Sequence, residues 1–225
     1  MQYSKSFEWL FDFISNNGQK PIFLFDKNTE KYCSPLLPAE ILNNSLTLSL
    51  EPGESSKSIE TAESIWKTLI DNNVKKNQAL ICVGGGVLTD LGGFVSSAFK
   101  RGMPLIHIPT SLLAMVDASI GGKTGVNFNS IKNQIGTYYK ATHILVNPLF
   151  LETLPKDEWR SGYTELLKQL LIAFTWNDCK AGFSQVPYSL SELNESLLKK
   201  AIKVKEEIVE RDPKEHSERK KLNLG

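Results

Sequence analysis

The feature that most constrains this chain is ICVGGGVLTDLGGF, residues 81–94, where a buried strand breaks at Gly84, Gly85 and Gly86 and a helix begins at once. It is one step of a longer alternation. PIFLFD and LTLSL precede it, and PLIHIP and HILVNP follow it, each a short apolar run bounded by turn residues. SFEWLFDFISNNG places Phe7, Leu10, Phe11 and Ile14 at helical spacing with Gly18 after the end, and SIETAESIWKTLIDNN does the same with Ile59, Ala62, Ile65, Trp66 and Leu69. Strands that alternate with helices predict a parallel α/β sheet.

The alternation stops near residue 150. Residues 1–150 hold 25 charged side chains and residues 151–225 hold 26, half the length for nearly the same number. KDEWRSGYTELLKQLLIAF and LSELNESLLKKAIKVKEEIVERD are both helical patterns with no strand between them. The expectation is two domains, an α/β domain over 1–150 and the start of an all-helical domain over 151–225.

Composition narrows the function classes. The net charge of +1 gives no global field for nucleic acid or membrane. The start MQYSKSFEWLFDFISNN carries Glu8 and Asp12 within its apolar part, which argues against a signal peptide or a spanning helix. Cys33, Cys82 and Cys179 lack metal or disulfide spacing and point to a reducing cytoplasm. His107, His143 and His216 contain no pair at ligand spacing. His107 reads as a strand histidine of the core or sheet face, and His216 as solvent-exposed.

Three motifs bear on chemistry. The glycine turn lets backbone approach a phosphate at a helix N-terminus. Thr89 stands where the dinucleotide fingerprint wants its last glycine, so a ligand-free tight turn is an equal reading. GESSK, residues 53–57, follows a strand, and Glu54 there is either a ribose acceptor or part of a solvated loop. Between residues 100 and 140, Lys100, Arg101, Lys123, Lys132 and Lys140 face a single acid, Asp117, among glycines and asparagines. This run has no helical period and favours an anion site, held by a loop over VDASIGGKTGVNFNSIKN. Glu165 and Lys168, three apart on a helix, read alone as an ordinary ion pair.

Taken together, GGGVLTDLGGF, KRGMPLIHIPTSLLAMVDASIGGKTGVN, KNQIG, LETLPKDEWRSGYTELLK and ERKKLNLG resemble the 3-dehydroquinate synthases of the sugar-phosphate cyclase family. The resemblance runs from about residue 50 to the last residue. It implies a Rossmann-like NAD-binding domain followed by a helical domain, with the site in the cleft between them. It also implies an NAD- and metal-dependent, phosphate-eliminating lyase of the shikimate pathway. That enzyme converts 3-deoxy-D-arabino-heptulosonate 7-phosphate to 3-dehydroquinate, the divalent metal being zinc or cobalt. A sister cyclase acting on another sugar phosphate and a non-catalytic NAD-binding module are the alternatives.

Residue roles follow from the resemblance alone. It gives Glu54, Lys57, Gly84, Gly85, Gly86, Asp90, Thr110 and Ser111 to NAD. Asp117, Lys123, Lys132 and Asn133 go to the face shared by nicotinamide and substrate. Glu165 matches a metal ligand, and Lys168, Lys205, Arg219 and Asn223 match substrate ligands that, with Lys123, make up the catalytic set the resemblance implies. Arg101 matches an arginine that reaches a neighbouring subunit, implying a homodimer. Four positions depart from the family: Thr89, Ser111, Asn147 and Asp157. The match stops at LNLG, just short of a family H-T-x-G-H metal motif. The resemblance therefore implies an incomplete metal site, an inactive fragment, and Lys205, Arg219 and Asn223 left on poorly covered structure.

Overall fold

The computed structural model describes residues 2–4, 6–173 and 187–224. Cys179 and the last residue of the first long helical pattern lie outside them. The regular elements are β1 (Gln2–Tyr3), α1 (Glu8–Asn17), β2 (Ile22–Asp26), α2 (Lys27–Tyr32), α3 (Ala39–Asn43), β3 (Leu46–Leu50), α4 (Ile59–Asp71), β4 (Leu80–Gly84), α5 (Gly86–Ala98), β5 (Leu105–Pro109), β6 (Lys123–Phe128), β7 (Ile131–Tyr138), β8 (His143–Val146), α6 (Lys156–Ile172) and α7 (Glu195–Arg211).

The main sheet runs β1-β8-β5-β4-β2-β3, and every pair in it is parallel. β1 adds two residues at the edge, so five strands carry the sheet. The strand order reverses between β2 and β4. In open α/β sheets such a reversal leaves a crevice outside the carboxyl ends of the strands. Gly84 ends β4 at that crevice.

Alternation sorts the strands onto two apolar layers. Phe23, Phe25, Ile81, Val83, Ile106 and Ile108 point to one side, and Ile22, Leu24, Leu80, Cys82 and Leu105 to the other. Helices α4 and α5 cover the second side through Ile65, Leu69, Leu91 and Val95. The first side is covered by α1 through Leu10 and by the two long helices, through Trp159, Leu166 and Leu170 of α6 and Leu198, Ala201 and Ile202 of α7. Each such buried side chain contributes about 1.5–3 kcal/mol. The sheet and the helical segment are thus joined by one apolar cluster.

Close approach explains two glycines of α5. A Cβ on Gly92 would overlap Cys82 Sγ of the central strand, and one on Gly93 would overlap Thr124 of β6. Helix α5 is therefore held tightly between the sheet and a hairpin. That hairpin corrects the loop expected over VDASIGGKTGVNFNSIKN. Residues 114–118 close a wide helical turn, Gly121 and Gly122 reverse the chain at φ +100° and +65°, and β6 and β7 pair antiparallel. Thr124, Gly125 and Val126 are buried while β7 is largely exposed, so glycines and a one-sided burial pattern hide the strand period from the sequence.

The second long helical pattern also starts later than expected. Asn194 caps α7, its Oδ1 accepting from the Ser196 and Leu197 N–H groups at 3.0 and 3.2 Å. The early helix ends as the sequence implies, with Gly18 left-handed at φ 58°. His107 is a buried sheet histidine whose Nδ1 lies 3.3 Å from Ser119 O, and burial pushes it down to about 4.

Candidate active site

The glycine turn ends β4 and opens α5 with Gly85 as N-cap and no side chain capping the first N–H groups. A Cβ on Gly85 would stand 3.4 Å from Ser111 Oγ. Bare backbone therefore faces the crevice, beside a helix N-terminus whose partial positive charge suits a phosphate. Thr110 N–H donates to Gly84 O at 3.1 Å and ties β5 to the turn. Ser111 Oγ accepts from Ala114 N–H at 3.2 Å, which starts the turn carrying Asp117. Thr89 is buried and its Oγ1 donates to Gly86 O at 3.1 Å, so the departure from glycine closes on the turn itself.

One turn into α5, Asp90 meets Lys57. Lys57 is 4% exposed, and its Nζ donates to Asp90 Oδ2 at 2.5 Å and to Asn133 Oδ1. Burial pushes the Asp90 carboxyl up, and the Lys57 ammonium opposes that shift. This knot joins the segment after β3, helix α5 and strand β7, whose Asn133 has φ 54°. Outside it, Glu54 is exposed and accepts from Asn127 Nδ2 at 2.9 Å. Lys132 stands 3.9 Å from Glu54 with 72% of its side chain exposed. Both line a cavity of about 410 Å³, with Lys57 and Asn127.

The larger cavity, about 560 Å³, is lined by Asp90, Asp117, Lys123, Asn133, Lys205 and Arg219 among others. Lys205, on α7, donates to Asp117 Oδ1. Gln169, on α6, is fully buried and donates from Nε2 to Glu165 Oε1 at 2.9 Å and, at 3.5 Å, to Asp117 Oδ1. Its Oε1 has no partner. Gln169 thus bridges two acids. Burial and the Asp117 charge push the Glu165 carboxyl up, against Lys168. Lys168 Nζ stands 2.8 Å from Glu165 and donates to Leu222 O at 2.6 Å.

Residues 212–223 fold back so that Glu215 and Arg219 line this cavity. Asp212 ends α7, and its carboxylate accepts from the N–H groups of His216, Ser217 and Arg219 at 2.9, 2.8 and 3.0 Å. Burial pushes it up, but those donors outweigh burial and hold it down at about 2. The clamp turns Arg219 inward, where it is 1% exposed and donates to Pro213 O at 2.6 Å. Gly121 makes room, because a Cβ there would overlap the guanidinium. Lys205 and Arg219 are therefore well packed, against the expectation of poorly covered structure; Asn223 is exposed.

A family model described as the N-terminal part of 3-dehydroquinate synthase matches residues 47–161, just over half the chain. This chain belongs to the 3-dehydroquinate synthase family. The 3-dehydroquinate synthase of Parabacteroides distasonis is 40% identical over 219 residues, covering 95% of this chain and 61% of its own length. That of Thermococcus kodakarensis is 42% identical over 191 residues, covering 83% and 52%. The chain spans about half to three-fifths of the length of the curated relatives it matches. Among solved structures, 2-epi-5-epi-valiolone synthase from Streptomyces hygroscopicus subsp. jinggangensis 5008, with NAD+ and Zn2+ bound, superposes with a TM-score of 0.78 at 26% identity. It covers 99% of this chain and 64% of that one. A 2-deoxy-scyllo-inosose synthase complexed with carbaglucose-6-phosphate, NAD+ and Co2+ shares the fold with a TM-score of 0.82 at 24% identity, covering 98% and 62%.

Of the residues that the 3-dehydroquinate synthase resemblance singles out, Lys57, Asp90, Asp117, Lys123, Asn133, Lys205 and Arg219 come together at the two adjoining cavities. Glu165 and Lys168 line a neighbouring cavity of about 460 Å³ and connect to the first through Gln169. Arg101 stands apart, exposed, where Lys100, Arg101 and Gly102 all have positive φ. Gln169, Glu215 and Asn127 were not found from sequence. Only Gln169 carried a signal, its position one helical turn after Glu165.

Proposed function

We propose that this chain carries the nucleotide-binding wall and part of the substrate wall of a 3-dehydroquinate synthase, acting on 3-deoxy-D-arabino-heptulosonate 7-phosphate. The observation that supports the reading best is the knot of Lys57, Asp90 and Asn133, which joins the bare glycine turn to the cavity holding Asp117, Lys123, Lys205 and Arg219.

The residues present fit NAD. The uncapped first turn of α5 and the Cβ-free Gly85 would take the pyrophosphate, and Glu54, at the smaller cavity, would accept from a ribose hydroxyl. NAD, when bound, supplies a hydride acceptor. Lys57 keeps Asp90 paired at the rim, while Lys205 and Gln169 fix the Asp117 carboxylate at the cavity wall. Lys123 and Arg219 present cations to an anionic sugar acid, and a charge-assisted contact of that kind contributes about 1.5–3 kcal/mol. A zinc or cobalt ion needs about three protein ligands. Among the described residues no three His, Cys, Asp or Glu side chains converge, and the Glu165 carboxylate already meets Lys168 and Gln169. The residues present therefore do not fit a complete metal site.

Two further assignments belong to this reading. Residues 1–150 and 151–225 act as nucleotide and substrate domains, and Arg101 serves a partner's phosphate site in a cytoplasmic homodimer. No helix among the described residues is long and apolar enough to cross a membrane. Calorimetric titration with NAD+ tests the reading. Binding is expected with the purified chain, and no heat of binding at millimolar NAD+ overturns it.

A further inference from the structure

The segment after α7 places an acid among the cations of the larger cavity. Glu215 lines that cavity with 12% of its side chain exposed. Its two oxygens are engaged separately: Lys123 Nζ pairs with Oε2, and Asn223 Nδ2 donates to Oε1. Arg219 lies close enough to favour the ionised form as well, although burial opposes it. The Arg219 Nε is buried with no partner, so this cation has donor capacity left over. The Asp212 clamp fixes the turn that carries Glu215. A planar carboxylate with both oxygens bound by a lysine and an amide, beside an arginine, is the arrangement in which a protein receives an anionic ligand. Here the anion is the chain's own.

We propose that Glu215 is a built-in stand-in for a ligand's carboxylate, which a bound anion must displace. The proposal rests on the reading that Lys123, Arg219 and Asn223 face an anionic substrate. It makes Glu215 a residue that sets affinity and selectivity. A ligand group that offers Lys123 and Asn223 no better than a carboxylate gains little by entering, whereas a ligand that also engages the spare donor of Arg219 gains. An internal competitor that fills the site nine-tenths of the time lowers apparent affinity about tenfold.

The test titrates malonate and, separately, inorganic phosphate into the chain and into Glu215→Gln at constant ionic strength. Glu215→Gln should bind malonate about tenfold more tightly, and adding Lys123→Ala should abolish the gain. Glu215→Ala, which cannot retain a hydrogen bond to Asn223, should show at least the same gain and guards against a peculiarity of the amide. Unchanged malonate affinity in both variants overturns the proposal, and so does a gain for phosphate alone. NAD+ titration of the unaltered chain separates the two readings. A malonate gain without NAD binding leaves this proposal standing and removes the proposed function. NAD binding without a malonate gain does the reverse.

Discussion

The two walls of the cleft are built from different materials. The wall at β4 and α5 is backbone: three glycines, an uncapped helix start and close helix-to-sheet contact. The opposite wall is side chains. Asp117 and Lys205 reach it from two elements, Gln169 ties Asp117 to Glu165 and Lys168 behind it, and the clamp at Asp212 adds Arg219. The first wall takes its shape from the absence of atoms, the second from paired charges. A backbone wall fails through crowding, and a charged wall fails through loss of a partner.

The sharpest way to break the contrast is Gly92→Val. The new side chain would strike Cys82 in the central strand, and overpacking of this kind costs about 3 kcal/mol or more. Chemical denaturation should show that loss, and stability within 1 kcal/mol of the original would mean that α5 is not tightly seated. Next, Lys205→Met strands Asp117. Removing one member of a fully buried pair costs about 3–5 kcal/mol, but the Asp117 side chain is 31% exposed, so about 2 kcal/mol is expected in the same assay. Gly85→Ala should separate binding from folding. Its Cβ would meet only the Ser111 side chain, with Oγ at 3.4 Å and Cβ at 3.9 Å. The midpoint of thermal unfolding should stay within about 2 °C while NAD affinity falls about tenfold, or about 1.4 kcal/mol.

The sequence showed these walls unequally. Strand, glycine turn and helix are neighbours in the chain, so Gly84 to Gly86 could be read from local pattern. The hairpin could not, because Gly125 and Gly136 interrupt the alternation and β7 buries almost nothing. Gln169 and Glu215 become meaningful only once α6, α7 and the following turn have packed, since Asp117 and Lys123, the partners that bring them to the site, are far away in sequence. The resemblance supplied Lys205 and Arg219 as positions without saying what would hold them, and it gave no hint of the Asp212 clamp.

An acid titration sharpens the charged side of the comparison. The Asp212 carboxyl falls from its ordinary value of 3.8 to about 2 on folding. Its folded form is thus favoured when ionised, so its stabilisation is complete above the ordinary value and disappears as pH falls towards 2. Unfolding midpoints of the chain and of Asp212→Asn should converge between pH 5 and pH 2. Parallel curves would mean that the clamp is not formed. The smallest effect belongs to Lys132→Ala, which should shift stability by no more than about 0.5 kcal/mol in the same denaturation assay, because the side chain is 72% exposed and 3.9 Å from Glu54.

The single apolar cluster that runs from Leu10 to Ile202 also governs how the chain is made. During synthesis the sheet can assemble once residue 146 has emerged, yet the face carrying Phe23, Phe25, Ile106 and Ile108 stays only partly covered, by α1 and its neighbours, until α6 and α7 arrive. Contacts between such distant segments delay the final step, because the intervening chain must be ordered before they form. A nascent intermediate with one half-covered sheet face is sticky. For this protein, chaperone demand in the cell should therefore rise with any change that slows the docking of α7.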